Sequence, residues 1–179
     1  MFTHALYLTG ALAVFFLAVG LPLTGTIVTA FGGTGEVFVM SQTYLRVILS
    51  FAPAFLLNNV MLCFVRNDGA PQLSMTAMIV GSLSNVLLDW VFLFPCGMGI
   101  FGAAFATGLA PLISMGILSV HFLRKKNQFH PIASRLRLGM LGRIVTSGVP
   151  SLVTEVSSGI VIIVFNTLIM GLEGNVGVA

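Results

Sequence analysis

Apolar residues fill this chain in long blocks, and short polar breaks separate them. Five blocks stand out, at 5–31, 42–65, 71–95, 99–123 and 141–170. Each is long enough to cross the hydrocarbon core of a bilayer, which takes about 20 helical residues. In lipid a spanning backbone must satisfy its own hydrogen bonds, so the blocks are expected to be helices. The breaks have turn chemistry. Gly32-Gly33-Thr34-Gly35-Glu36 ends the first block, with an external loop expected over 32–41. Arg66-Asn67-Asp68-Gly69-Ala70-Pro71 ends the second, with Pro71 placed to open a helix, and Pro95-Cys96-Gly97-Met98-Gly99 ends the third. The expected fold class is an all-α polytopic membrane protein with five transmembrane helices.

Composition agrees. Of 179 residues, 57% are hydrophobic and 7% charged. A soluble domain carries about 25% charged residues, so that class is set aside. The first block has no basic stretch before it and is too long for the apolar core of a cleaved signal peptide. Six of the eight basic residues (Arg124, Lys125, Lys126, Arg135, Arg137 and Arg143) fall in one stretch with no acid. Clustered Lys and Arg in a short loop mark the cytoplasmic side, so 124–140 is expected there, with Arg66 on the same side. The topology rule accounts for these charges and leaves no reason to invoke nucleic acid. Arg46 is the exception, expected near the outer end of the second span. Cys63 and Cys96 lie in or beside apolar segments and suggest neither a disulfide framework nor a metal site.

Candidate chemistry centres on the third and fourth blocks. Asn85 and Asp89 are four residues apart and share a helix face. Thr107 follows the intervening turn at a similar depth, roughly 9–12 Å in from one surface. An intramembrane acid is costly and marks ion or proton pathways; the alternative is a polar pair that only holds helices together. The small residues Gly102 and Ala106, and Ala104 and Gly108, have the spacing of close helix packing. Such packing would bring the Ala103 carbonyl and Thr107 hydroxyl near Asp89, an oxygen set suited to a hard cation. Glu155, five residues after Pro150 and flanked by Ser151 and Ser158, is a second candidate protonation site, or else an acid held by those serines near a helix start. Asn58, Asn59 and Asn166 read first as packing residues. Pro22, Pro53, Pro111 and Pro150 each fall inside a block. No nucleophile–base pair, phosphate-binding loop or dinucleotide fingerprint is present, which argues against an enzyme.

The stretch Arg66–Pro71, then Asn85-Val86-Leu87-Leu88-Asp89, then Gly99–Thr107, and later Gly148-Val149-Pro150 after the basic loop, resembles the multidrug and toxic compound extrusion (MATE) transporters. The resemblance implies part of a two-lobe, twelve-helix transporter that exports organic cations and drugs in exchange for Na⁺ or H⁺. The chain is similar to helices three to seven: 1–123 as a partial N-lobe, 124–140 as the inter-lobe linker, and 141–179 as the first helix of the C-lobe. It also implies a cation site of Asn85, Asp89, Thr107 and, by looser depth, Asn59; the family's first-helix Asp has no counterpart here. Glu155 resembles a seventh-helix Glu of one branch.

These readings lead to a multi-pass protein of the plasma (inner) membrane, a fragment inactive alone. Its expected partners are the bilayer, amphipathic or cationic drugs and the remaining helices of a transporter. No cofactor beyond the coupling ion is expected. The rival readings are a lipid-linked oligosaccharide flippase of the same superfamily, which several cavity arginines would favour, and a non-transporting membrane interaction remnant.

Overall fold

The computed structural model describes residues 2–123 and 138–173, all of the long elements being helical. The first span is one apolar run, α1 (Phe2–Phe15), a π-helical segment (Phe16–Gly20) and α2 (Leu21–Ala30). Pro22 stands just after the π-helical segment, where a missing N–H is most easily absorbed.

The second span differs from the expectation. Its helix begins at Gly35, so Glu36 and the residues to 41 are helical and the outer loop shrinks to 31–34. It also comes in two pieces, α3 (Gly35–Ser50) and α4 (Ala52–Asn67), bent by 50° about Phe51. Pro53 gives the physical reason: it has no N–H for the Leu49 carbonyl, and its ring crowds the preceding turn. The earlier start places Arg46 eleven residues into the helix, roughly 16 Å from its outer end rather than close to that end as expected. Its Nε donates to the Thr24 hydroxyl on α2 at 3.3 Å.

α5 (Pro71–Leu93) and α6 (Gly99–Leu123) form an antiparallel hairpin over a short turn. Pro71 occupies the first helical position, as expected. Gly69, with φ of +83°, makes the preceding turn, and Gly99, at +56°, opens α6. The small residues of α6 are buried and face two neighbours. A side chain at Gly102 would meet Phe92 of α5 at 2.9 Å, and one at Gly108 would strike the ring of Phe51. The bend residue of the second span thus packs into a notch that only glycine leaves open. Phe51 and Phe92 both pack on Phe105, with ring centroids 5.7 Å away in each case.

Near the Asn67–Pro71 turn, Leu62, Val65, Ala77 and Leu118 form a packed apolar cluster. Beside it Ser74 donates to the Leu62 carbonyl. Beyond it Asp68 Oδ2 and His121 Nε2 lie 2.8 Å apart, with side chains 8% and 5% exposed. Residues 1–135 make one compact unit and 136–179 another. In the second, α7 (Leu138–Glu173) is a single helix containing Pro150. It starts three residues inside the expected linker and carries Arg143; the other five basic residues of that stretch lie outside the described residues.

By length and apolarity Phe2–Ala30, Pro71–Leu93, Gly99–Leu123 and Gly142–Phe165 can each cross a membrane, and the bent α3–α4 pair makes a fifth when its two pieces are counted as one span.

Candidate functional site

α5 and α6 bring Asn85 and Thr107 together. Asn85 Nδ2 donates to Thr107 Oγ1 at 3.4 Å, and Thr107 Oγ1 donates to the Ala103 carbonyl at 3.0 Å. The helical spacing explains both contacts: Thr107 reaches back one turn to Ala103, and the hairpin sets Asn85 opposite it. Asp89 lies one turn from Asn85 on the same face of α5. Its Oδ1 is buried and has no hydrogen-bond partner. The carboxylate therefore stands one helical turn from the polar pair, makes no hydrogen bond with it, and is not among the residues lining the cavity that Asn85 and Thr107 share. The Asn85–Thr107–Ala103 contacts are satisfied among themselves, and Asp89 Oδ1 is the buried acceptor they leave open.

Asn59 of α4 is the fourth expected member. It lines, with Asn85 and Thr107, a cavity of about 330 Å³ between α4, α5 and α6. The bend at Phe51 is what aims α4 at this hairpin. Asn58, Ser82 and Ser114 line the same cavity and were not singled out as site residues from the sequence. Ser82 and Ser114 carried a readable signal, since they stand three residues before Asn85 and seven after Thr107. Asn58 did not, because neighbouring asparagines on a helix cannot be ranked without knowing which way the helix bends.

Glu155 belongs to a different unit from Asn85, Asp89 and Thr107. It lies in the second unit, on the exposed surface of α7. The serine support expected for it is not the arrangement found: Ser158 donates to the Thr154 carbonyl, one turn back. Among the described residues no three His, Cys, Asp or Glu side chains cluster to hold a metal ion. A cation at Asn85, Asp89 and Thr107 would be held by one carboxylate and neutral oxygens, a donor set for a hard monovalent ion.

The chain was compared with known proteins. A family model, MatE, matches residues 1–91. The multidrug export protein MepA of Staphylococcus aureus (strain bovine RF122 / ET3-1) is 26% identical over 94% of this chain. MepA of Staphylococcus saprophyticus is 28% identical over 83% of it. The chain spans 38% and 33% of the length of these two curated relatives. Among solved structures, an inward-facing multidrug resistance MATE family transporter of the MOP superfamily superposes with a TM-score of 0.87 at 29% identity, over 99% of this chain and 41% of its own. An outward-facing one gives 0.85 at 28%, over 99% of this chain and 40% of its own. The two scores are close, so the likeness does not depend on which side of the membrane the neighbour is open to.

Proposed function

This chain belongs to the MatE family, and we propose from that membership that it forms part of a multidrug exporter driven by cation antiport. Asn85, Asp89 and Thr107 bind the coupling ion, Na⁺ or H⁺, with Asn59 and the Ala103 carbonyl supporting them. The observation that carries this reading is the open, buried Oδ1 of Asp89 beside the Asn85–Thr107 pair.

The mechanism follows from charge. An empty, ionised carboxylate at membrane depth costs about 2.5–3.5 kcal/mol, a cost that a bound cation or proton removes. Occupancy would therefore change how closely α5 and α6 pack, and with it the shape of the adjoining cavity. A drug that prefers one shape is then bound or released as the ion exchanges, and the coupling is reciprocal. The polar and apolar lining of the cavity, with Met78 and Phe55 beside Asn59, suits an amphipathic cation. Relatives named as multidrug export proteins support that substrate class. In this reading the membrane is the plasma membrane and the basic stretch 124–140 faces the cytoplasm. Residues 1–123 belong to one lobe of the transporter, and α7 begins the next. Glu155 is retained only as a site within that second lobe.

The test uses ethidium efflux from a drug-sensitive bacterial host expressing the chain in place of the matching helices of MepA. Asp89→Asn is expected to reduce efflux to the vector background, and Asn85→Ala and Thr107→Val to weaken it. Full efflux by Asp89→Asn would refute the assignment.

A further inference from the structure

The cavity does not end at Asn85 and Thr107. It continues along α4, α5 and α6 toward the Asn67–Pro71 turn and stops at Leu62, a member of the packed apolar cluster. Its inner end holds two buried polar atoms without hydrogen-bond partners, Asn58 Oδ1 and Ser114 Oγ. Ser114 is only 3% exposed. A serine hydroxyl on a helix commonly donates to the carbonyl one turn back, as part-buried Ser119 does to Met115 and exposed Ser50 to Arg46. Ser114 does not. It sits where α5 comes closest, with its Cβ 3.3 Å from the position a Gly81 side chain would take.

Pro111 adds a third oxygen. It lies inside α6 and lines the cavity, and with no N–H it gives the Thr107 carbonyl no helical donor. Buried polar groups left open in this way are costly unless something fills their valences. The two open side-chain oxygens are neutral, and the Thr107 carbonyl, deprived of its donor at Pro111, is the third oxygen the site can draw on, all on the side of Thr107 away from Asp89.

We infer that Asn58, Ser114 and the Thr107 carbonyl form an inner staging site for a monovalent cation of sodium size. The inference rests on the cation reading of Asp89, and it assigns these residues a separate role. Neutral oxygens replace part of the ion's hydration shell without the attraction of a carboxylate. Such a site holds the ion weakly and passes it on to Asp89. It governs how fast the ion arrives more than how tightly it is finally bound. The apolar cluster at Leu62 closes the inner end and would have to part for the ion to enter or leave.

Trp90, the only tryptophan, follows Asp89 directly and reports on that site. The experiment uses the full 179-residue chain in lipid nanodiscs. Its fluorescence is followed after stopped-flow steps of NaCl, with choline chloride as the control and pH steps as a separate arm. Wild type is expected to respond to sodium, and Asp89→Asn to abolish the response. Ser114→Ala and Asn58→Leu are expected to slow the sodium relaxation tenfold or more, with the midpoint within twofold of wild type. Unchanged rates in both variants would overturn the staging site. So would a tenfold shift in midpoint at unchanged rate, or slowing confined to pH steps, which would mark a proton path through water. A wild-type response that survives Asp89→Asn would instead remove the proposed function, and the staging site with it.

Discussion

Asp89 combines a functional position with an energetic liability. Its Oδ1 is buried without a partner on a 23-residue apolar helix, so it contributes nothing to packing that a leucine could not. Asp89→Leu is therefore expected to raise the thermal stability of the chain by about 1–3 kcal/mol, while abolishing any sodium response. Denaturation in detergent measures this directly, and a destabilised variant would mean that the carboxylate serves packing. The Asn85–Thr107 contact behaves differently, being long and neutral. Hydrogen bonds between membrane helices contribute about 0.6 kcal/mol on average, so Thr107→Val should leave the melting temperature almost unmoved. Asn85, Asp89 and Thr107 were legible in the sequence because helical periodicity and one short turn place them together. Asn58 was not, and the spacing of Ser114 could be read but not its lack of a partner, which only the packed helices show.

The elements are held in register by two features of opposite chemistry. One is steric: Phe51 at the bend between α3 and α4 enters the notch at Gly108 on α6. Gly108→Val would force the ring out, at about 1–3 kcal/mol, and would shift α4 away from the cavity. Loss of the sodium response together with stability is the expected signature. The other is polar: Asp68, just after α4, contacts His121 in the last turn of α6 at hydrogen-bond distance, with both side chains at least nine-tenths buried. Removing one partner deprives the other, still buried, of this hydrogen bond, at about 1–3 kcal/mol. His121→Leu should accordingly unfold at lower temperature, and the double variant Asp68→Asn/His121→Leu should recover part of the loss. The bent second span was only half legible. Pro53 announced an irregularity, but hydropathy could not tell a kink from a continuous helix, nor show that the helix already begins at Gly35. The Asp68–His121 pair joins residues 53 positions apart, a separation that no local pattern encodes.

Taken as a whole, the molecule presents two compact units, 1–135 and 136–179. Large apolar side chains remain exposed on α5 (Leu83, Val86, Leu87 and Trp90) and, among the described residues of α7, from Val145 to Leu168. Exposure on that scale suits lipid or further helices and would be an aggregation liability in water. The proposed orientation makes a prediction here. Cys96 lies in the α5–α6 turn and Cys63 near the other end of α4, and both are exposed. A membrane-impermeant maleimide added to intact cells should label Cys96 in the Cys63→Ser variant and leave Cys63 unlabelled in the Cys96→Ser variant. The reverse pattern would invert the topology.

Much of this protein was determined by its one-dimensional order. Long apolar blocks leave a membrane-spanning helix as the available way to satisfy the backbone. Basic clustering sets the expected orientation, and a spacing of four aligns Asn85 with Asp89. The tertiary structure alone decided which polar groups find partners. Thr107 is engaged by Asn85 and Ala103 whereas Asp89 Oδ1, Asn58 Oδ1 and Ser114 Oγ stay open, and the 50° bend brings α4 to the hairpin. The physical reason is that spanning and sidedness are additive along a chain. Hydrogen-bond satisfaction depends on groups brought together by close packing, where a single missing side chain, as at Gly81 or Gly108, sets the approach of two helices.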